Sequence, residues 1–528
     1  MRLLTVGVGG TTAHSRRVAY GPQAGFGRAT NVGPRYFISG IVLIMVVALV
    51  LRVWNLGEAS LWTDEALTAL RAQAPFNESL ASLMAAGNQT PLYFWTLRLI
   101  PNSTETWLRL PSALLGLLGI GLTIFMVLRF YRDREMALWI GALLAVNPFH
   151  VWLSRTARPY AMLFVLALLV TYFFLQLQRG NRTRAIWIGL TLTSMVAYAT
   201  HFTSAALFGA QFAVFAFTIR YKGAFVRRWM IAQIIAMIPA LTWLYLAMQR
   251  PMSTAANWIT QPTVNDLPLT IWNMTLGYDG VFSWKLFPAL MVVTMGLILG
   301  IAYAFGERRR DHTTFYWVAV FGATLLPVFL ISRYIVSFYV DRYFMVALPA
   351  LLILVMQGWK KNAARRIWRG AMLILIVTGA YVVLFSFYDG SYKRADWRNA
   401  ADYVAEHIQP GDAIMLERDN TREAFLRYYK TDEAVLNENP GAPIILLRNI
   451  SDTTEVEQSA ARVWVMYRNP NEDVHRMGVM PNFDPFDPTL SIMGEWLHLR
   501  RGQVIEQQFF NGVTILLVDT QQQLYAEK

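Results

Sequence analysis

The sequence predicts a polytopic α-helical membrane protein with a separate α/β domain at its C-terminal end. Of the 528 residues, 55% are hydrophobic and only 15% are charged, against roughly 25% charged in a typical soluble protein. Apolar runs of about 17 to 24 residues recur, which is the length that crosses a bilayer as a helix. Beyond residue 388 these runs stop, and short β-branched segments alternate with helical patterns.

We assign eleven apolar segments as membrane spans, so about eleven transmembrane helices are predicted. They are 36–54, 107–128, 136–153, 160–178, 185–200, 202–219, 229–248, 285–305, 314–332, 343–359 and 369–387. With a cytoplasmic N-terminus, the basic clusters at 129–134, 179–184, 220–228, 308–310 and 360–366 all fall on the cytoplasmic side. This agrees with the positive-inside rule. We therefore predict a multi-pass protein of the cytoplasmic membrane with an extracytoplasmic C-terminal domain.

Three regions follow from this topology. Residues 1–35 are a flexible basic arm in the cytoplasm, residues 36–388 form the membrane domain, and residues 389–528 form the soluble α/β domain. The first outer loop, 55–106, carries juxtamembrane helices at 61–72, 77–87 and 91–100. The last of these is too short to cross about 30 Å of hydrocarbon.

The net charge of +13 is unevenly divided and does not indicate a nucleic-acid partner. Residues 389–528 contain 14 Lys and Arg against 22 Asp and Glu, whereas the rest of the chain contains 33 against 12. The membrane region is thus basic and the C-terminal domain acidic. The chain has no cysteine, which excludes disulfides and thiol chemistry.

The C-terminal domain is predicted to be a small α/β unit. Helices are expected at 396–408 and 422–429, and strands at 413–416, 444–447, 463–466, 504–505 and 513–518. The sequence of this domain contains no metal-binding cluster and no nucleotide-binding loop. We interpret it as a binding or structural cap.

An acidic pair at the start of the first outer helix, Asp64 and Glu65, is the leading candidate for chemistry. Two adjacent carboxylates held at a membrane surface suggest a catalytic base with a helper. The alternative is an ordinary helix start, with Thr63 as the N-cap and the two acids stabilised in the first turn. Neighbouring helix positions point about 100° apart, so at most one of the two carboxylates faces a substrate.

Charged residues at the predicted outer face form the second set of candidates, because a charge beside hydrocarbon is costly. They are Arg109, Arg155, Arg158, Lys285, Arg333, Asp341 and Arg342. Arg109 and Lys285 lie at span ends, where snorkelling is common, and Asp341 with Arg342 could form a local ion pair. Carboxylates plus cations at one face fit transfer from a lipid-linked phosphate. The base accepts the proton of a hydroxyl and the cations stabilise the phosphate.

Seven motifs occur in the order expected for one known family. They are Trp62-Thr63-Asp64-Glu65-Ala66, Thr90-Pro91-Leu92-Tyr93, Leu108-Arg109-Leu110-Pro111-Ser112, Asn147-Pro148-Phe149-His150-Val151-Trp152, Ala157-Arg158-Pro159-Tyr160, Asp341-Arg342-Tyr343 and Asp396-Trp397-Arg398. The set resembles the dolichyl-phosphate-mannose protein mannosyltransferase-like superfamily, also called glycosyltransferase family 39 or, by fold, GT-C. The aminoarabinose transferase that modifies lipid A is a relative. The resemblance covers residues 36–410.

The resemblance implies an inverting hexosyl- or pentosyltransferase that uses a polyprenyl-phosphate-linked sugar outside the cytoplasmic membrane. The acceptor would be a hydroxyl of a protein, a lipid or a glycan. Asp64 would be the base and Glu65 its neighbour in the active site. For the donor phosphate we expect Arg158 and Arg342, then Arg155 and Tyr343. Further candidates for this role are Arg109, Lys285 and Tyr160.

Two departures from the family pattern bear on metal binding. Gln89-Thr90-Pro91 stands where many relatives carry His-Pro-Pro, and Thr156 stands where many carry Glu. Both changes remove metal ligands, so no cofactor is predicted with certainty and a divalent ion stays open.

Two other classes of function are compatible with parts of the sequence. A lipid-linked saccharide flippase, or another transporter of anionic substrates, would also need outer cations. Transporters usually place their charges near the midplane and show repeated halves, and the sequence has no such halves. An adhesion or scaffold role of the outer domain is the third alternative.

Overall fold

Apolar helices form the first three quarters of the chain in the computed structural model. It describes residues 32–86, 89–100, 104–217, 223–249, 259, 261–277, 284–308, 311–388, 395–416, 419–429, 444–446, 460–468, 484–488 and 492–521. The helices up to residue 388 are α1 Pro34–Val53, α2 Thr63–Gln73, α3 Phe76–Ala86, α4 Leu92–Leu97, α5 Glu105–Tyr131, α6 Arg134–Ala145, α7 Pro148–Ser154, α8 Tyr160–Gln178, α9 Arg184–Thr200, α10 Ala205–Phe217, α11 Gly223–Met248, α12 Asp266–Thr275, α13 Phe287–Gly306, α14 His312–Tyr334, α15 Leu348–Asn362 and α16 Arg365–Tyr388. Most of the predicted N-terminal arm, residues 1–31, lies outside this description.

The protein is a multi-pass membrane protein, because many of these helices are long and apolar enough to cross a bilayer. In the described part of the chain, eight helices are long and apolar enough to span a membrane: α1, α5, α8, α11, α13, α14, α15 and α16. The count is nine if the bent pair α6 and α7 forms one span. Helices also stand at the other two predicted spans, but α9 has 17 residues and α10 has 13. Helices thus stand at all eleven predicted positions, but only eight, or nine with the bent pair, pass as spans in the described residues. α9 and α10 are shorter than the roughly 20 residues of a full span.

The predicted span 136–153 consists of two helices, since the chain bends by 62° between α6 and α7. Pro148 is the first residue of α7, and the residue before a proline avoids helical angles. Asn147 instead caps α7, accepting from the His150 N–H at 2.8 Å. Arg52 of α1 donates to the Leu144 and Ala145 carbonyls at the bend, each at 3.0 Å. These bonds satisfy carbonyls that the break has freed.

The first outer loop contains the three short helices that were predicted. They are α2, α3 and α4, and their observed bounds differ by one to three residues from the predicted ones. α4 has six residues and cannot cross a bilayer. It lies against α2 and α9.

The C-terminal domain is an α/β sandwich around a five-stranded sheet, which confirms the predicted class. Its strands are β1 Asp412–Leu416, β2 Ile444–Leu446, β3 Arg462–Arg468, β4 Val504–Phe510 and β5 Val513–Asp519, in the order β2-β1-β3-β5-β4. β1 is parallel to β2 and β3, and β5 is antiparallel to β3 and β4. The two-residue turn Asn511-Gly512 joins β4 and β5, with Gly512 at φ 68°. Asn-Gly is the typical turn for such a hairpin.

Successive side chains of the strands point to opposite faces of the sheet, and both faces are buried. One face packs against α17 Trp397–His407 and α18 Asp419–Leu426, and the other against α19 Ile492–Leu499. Each predicted strand and helix of this domain has its observed counterpart, with β3 and β4 longer than expected.

The α17 and α18 face shares one hydrophobic core with the first outer loop. Leu61, Ala66 and Ala69 from the loop pack in the same buried cluster as Phe425 and Trp464 of the domain. Polar contacts add to it: the Leu61 N–H donates to the Tyr428 hydroxyl at 2.7 Å. The C-terminal domain therefore lies directly on the helix that carries the acidic pair.

Candidate active site

The acidic pair lies in the first turn of α2, and its two carboxylates point in different directions. The N-cap position is Trp62, whose carbonyl accepts from the N–H groups of Glu65 and Ala66, so the alternative with Thr63 as the N-cap is wrong. The side chain of Asp64 is 25% exposed, whereas that of Glu65 is fully buried. This divergence follows from the angle of about 100° between neighbouring helix positions.

Glu65 forms a buried ion pair with Arg109 of α5. Arg109 donates from Nε to Oε1 of Glu65 at 2.9 Å and from Nη2 to Oε2 at 2.6 Å. The Ala157 N–H also donates to Oε1, at 2.7 Å. Bidentate pairs of this kind are strong and specific in geometry. The pair joins α2, α5 and the turn between α7 and α8.

The other N–H groups of Arg109 bind main-chain carbonyls. Nη1 donates to Leu56 at 2.9 Å and to Ala59 at 2.8 Å, and Nη2 donates to Ser60 at 2.8 Å. A guanidinium has five N–H donors, and with the two on Glu65 all five are used. Arg109 therefore has no N–H donor left for a phosphate, and we do not propose it as a phosphate ligand.

The turn 155–159 is held in place by side chains from three of the sequence motifs. Glu65 accepts from Ala157, as described. The Ser112 hydroxyl donates to the Arg158 carbonyl at 3.3 Å and lies 3.0 Å from the Tyr93 hydroxyl. The motifs around these residues therefore meet at one turn, and their hydrogen bonds fix the backbone that carries Arg158.

Asp64 faces two buried arginines from different parts of the membrane domain. One carboxylate oxygen, Oδ2, lies 3.5 Å from Nη2 of Arg158 and 3.7 Å from Nη2 of Arg342. Both separations exceed a hydrogen bond and fit ion pairs. Burial acts to raise the pKa of Asp64, but the guanidinium groups of Arg158 and Arg342 outweigh it and lower the pKa below the usual value. The carboxylate is therefore ionised at neutral pH.

Arg342 is not paired with its neighbour Asp341, contrary to the local ion pair considered from the sequence. Both lie in the 3₁₀ turn Asp341–Ala347 that precedes α15. Asp341 accepts from the Thr270 hydroxyl at 2.7 Å and from the Asn273 amide at 2.5 Å, both on α12. The Arg342 guanidinium instead stacks over the Trp62 ring, 5.7 Å from its centroid.

Aromatic side chains pack beside the two arginines. Tyr343 and Tyr160 are buried with ring centroids 6.4 Å apart, and His201 lies 5.0 Å from Tyr343. Burial lowers the pKa of His201 to about 3, and the positive charges of Arg158 and Arg342 act in the same direction. His201 is therefore neutral in this environment.

Three of the other candidate cations are placed away from Asp64. Arg155 donates to the Trp54 carbonyl at 2.8 Å and the Asn55 carbonyl at 3.2 Å, where it caps the C-terminal end of α1. Lys285 and Arg333 have exposed side chains at helix ends. The structure thus brings Asp64, Arg158 and Arg342 together and leaves these three outside the group.

Three residues near Asp64 were not singled out from the sequence. Arg71 and Arg468 both act electrostatically on the Asp64 carboxylate, and His201 adjoins the two buried arginines. Arg71 lies seven positions after Asp64, two helical turns along the same face, so the period could have revealed it. Arg468 belongs to β3, about 400 residues further along the chain, and no local pattern connects the two.

The described residues do not offer a metal site around the acidic pair. Among them no group of three or more His, Asp or Glu lies close enough to hold an ion. Glu65 is bound to Arg109 and to the Ala157 N–H. The two arginines beside Asp64 would repel a divalent cation.

The helix arrangement, with short outer helices and a C-terminal domain on top of them, defines the class: the fold is of the GT-C type, found in membrane glycosyltransferases. This agrees with the family resemblance of the sequence motifs.

Solved structures with this fold cover almost the whole chain. ArnT from Cupriavidus metallidurans, bound to undecaprenyl phosphate, has a TM-score of 0.53 at 14% identity, over 91% of this chain and 98% of that one. The same enzyme in its apo state has a TM-score of 0.54 at 15% identity, with the same coverage. The apo oligosaccharyltransferase of Archaeoglobus fulgidus has a TM-score of 0.49 at 11% identity, over 90% and 80%. No protein-family model matches the sequence, and no curated protein does.

Replacing Glu65 by Gln is expected to destabilise the protein by about 3–5 kcal/mol, because it leaves a buried guanidinium without its counter-charge. The change is measured as the unfolding transition of the detergent-purified protein. Glu423→Gln, in the partly exposed pair with Arg422, is the matched control and should cost no more than about 1 kcal/mol. Equal transitions for both variants would contradict a structural role of the Glu65–Arg109 pair.

Proposed function

We propose that the protein is an inverting glycosyltransferase that moves a sugar from a polyprenyl-phosphate donor to an acceptor hydroxyl at the outer face of the membrane. The observation that carries the proposal is the position of the Asp64 carboxylate beside Arg158 and Arg342, in a protein with the GT-C fold. A base and two anion-binding cations then lie within one small volume, as transfer from a lipid phosphate requires.

The reaction is a single displacement. The acceptor oxygen attacks the anomeric carbon of the sugar while the bond from that carbon to the donor phosphate oxygen breaks. The hydroxyl proton passes to the Asp64 carboxylate, and the electron pair of the broken bond stays on the departing polyprenyl phosphate. One displacement inverts the anomeric centre. Asp64 releases its proton to solvent at its exposed side.

The donor phosphate is assigned to Arg158 and Arg342. Both guanidinium groups are buried and lie near the same carboxylate oxygen of Asp64, and arginine binds phosphate oxygens through a planar fork. Their charges offset the charge that grows on the leaving phosphate. The bound undecaprenyl phosphate in the ArnT structure supports a polyprenyl phosphate as the donor class. Tyr343 and Tyr160 lie beside this site and are proposed to line it.

Glu65 is assigned a positioning role. Its carboxylate is fully engaged by Arg109 and the Ala157 N–H, so it orients the first turn of α2 and the turn that carries Arg158. In the proposed mechanism Glu65 neither transfers a proton nor binds a metal.

The direct test is incubation of the purified protein with a panel of polyprenyl-phosphate sugars that differ in hexose, pentose and chain length. Release of polyprenyl phosphate, by hydrolysis or by transfer to added protein, lipid or glycan acceptors, supports the proposal. Donor binding without release of the sugar, together with movement of the donor across a liposome membrane, would instead identify a flippase.

Reporter fusions are expected to place the N-terminus in the cytoplasm and the C-terminal domain outside. Residues 180 and 365 lie in basic connections between spans, so reporters fused there should be in the cytoplasm. Reporters fused at residues 270 and 520 should be on the exported side. Fusion points at 180 and 365 that report export would overturn this topology and the placement of Asp64 at the outer face.

A further inference from the structure

Arg71, on α2 of the first outer loop, is a buried cation whose side-chain partners are all neutral. The residue is only 6% exposed. Its Nε donates to the Ser82 hydroxyl at 3.1 Å, and its Nη1 donates to the Gln89 side-chain carbonyl at 2.9 Å. The guanidinium carbon also lies over the Phe94 ring, 5.7 Å from the centroid. Among the described residues, no carboxylate lies within ion-pair distance of Arg71.

This environment leaves both charge and hydrogen-bond donors of Arg71 unused. A guanidinium has five N–H donors, and two of them are engaged in the described part of the chain. Burial, together with the positive charge of Arg158, lowers the pKa of Arg71 to about 10, and the Asp64 carboxylate acts in the opposite direction. The side chain is therefore charged at neutral pH. A buried ionised group is costly unless it is paired, so an anionic ligand would stabilise it.

Two neighbouring buried arginines, by contrast, have an anionic partner. Arg158 and Arg342 lie 3.5 Å and 3.7 Å from the Asp64 carboxylate. In the proposed function they also bind the donor, whose phosphodiester carries a single negative charge. The carboxylate and the phosphodiester together balance these two guanidinium groups, and Arg71 remains unbalanced. The charges of the site thus predict a second anionic group on a substrate.

Arg71 lies on the same face of α2 as the proposed base. Asp64, Thr68 and Arg71 follow the i, i+4, i+7 spacing of one helix face. The Thr68 hydroxyl donates to the Asp64 carbonyl at 2.8 Å and accepts from Nη1 of Arg158 at 3.4 Å. Seven residues of α-helix rise by roughly 10 Å. A substrate of the size of a disaccharide can therefore contact both Asp64 and Arg71.

We propose that Arg71 and Gln89 form a second anion subsite, which binds a carboxylate or phosphate group of a substrate beside the donor-phosphate site. The free N–H groups of Arg71 and the Gln89 amide are the donors to this group. The inference rests on the proposed function and deepens it, because it assigns the substrates an acidic group besides the donor phosphate. That group belongs either to a sugar acid or sugar phosphate, or to a second phosphate of the polyprenyl donor.

The test measures ligand binding by the detergent-purified protein and needs no turnover. Undecaprenyl phosphate is added to saturation, so that Arg158 and Arg342 are occupied, and glucuronate, glucose 6-phosphate or neutral glucose is then titrated. In a second arm, the affinity for undecaprenyl diphosphate is compared with that for undecaprenyl phosphate. At least one acidic ligand should bind about tenfold or more tightly than its less charged counterpart, the usual effect of hydrogen bonds to a charged group. The arm that responds identifies the source of the acidic group.

Variants of the subsite separate ligand binding from a purely structural role of Arg71. Arg71→Gln should remove the preference for the acidic ligand, and Arg71→Lys should keep part of it. Gln89→Glu places a carboxylate where the amide now accepts from Arg71, so it should raise the unfolding temperature and also remove the preference. Arg98→Gln is the matched control, because Arg98 is a half-buried arginine of the same loop that donates to the Ala74 carbonyl at 2.7 Å.

Two results overturn the inference. One is a wild type that binds no acidic ligand better than its less charged counterpart. The other is an unchanged preference in Arg71→Gln or, if that variant does not fold, in Gln89→Glu. Neither result depends on donor hydrolysis, so the proposed function keeps its own test. Absence of hydrolysis by the wild type for every donor, together with Arg71-dependent binding of an acidic ligand, would overturn the proposed function and leave the subsite.

Discussion

Asp64→Asn is expected to lower the rate of sugar transfer by about 10²–10⁴-fold, the usual contribution of general base catalysis. The amide keeps the shape of the side chain but takes no proton from the acceptor hydroxyl. The measurement is single-turnover transfer or hydrolysis from a polyprenyl-phosphate sugar by the purified variant. Asp402→Asn, at an exposed position of α17, is the control and should keep the wild-type rate.

The pH dependence of the wild type follows from the same carboxylate. The active form is ionised Asp64, and the adjacent arginines lower its pKa, so the rate should hold down to about pH 4 and fall only below it. Donor binding by Asp64→Asn should persist, because Arg158 and Arg342 remain. A wild-type transfer rate in a folded Asp64→Asn sample would rule out the base role.

The second large effect, on donor affinity and transfer rate, is expected for Arg158→Gln and Arg342→Gln. Each removes one guanidinium from the proposed phosphate site, and truncation of one partner of a buried charge pair costs about 2–5 kcal/mol. This corresponds to a loss of donor affinity and transfer rate of about 30-fold or more. Arg158→Lys should recover only part of it, since lysine keeps the charge and loses the planar fork.

Donor affinity and single-turnover transfer are measured together for these variants. Lys285→Gln is the matched control, because Lys285 is a predicted outer-face cation with an exposed side chain. Affinity and rate at wild-type values in Arg158→Gln and Arg342→Gln, with reduced yield alone, would make both arginines structural. A loss confined to Lys285→Gln would move the phosphate site to the end of α13.

The sequence by itself determined most of the membrane architecture. Spans are readable because a bilayer imposes a fixed length and an apolar surface on every helix that crosses it. The span 160–178 coincides with α8, and the short strands of the C-terminal domain follow from their β-branched pattern. Asp64 was recognisable as a candidate because a carboxylate at the start of an outer helix is a local feature.

The tertiary structure alone decided which charges meet. Glu65 is paired with Arg109, 44 positions away, and Arg109 uses its remaining donors on the loop carbonyls. Adjacent residues in the sequence thus have different roles, because a helix turns their side chains about 100° apart. Arg468 acts electrostatically on Asp64 only because the C-terminal domain is docked on α2. Contacts between distant segments depend on packing, and no local pattern encodes the partner.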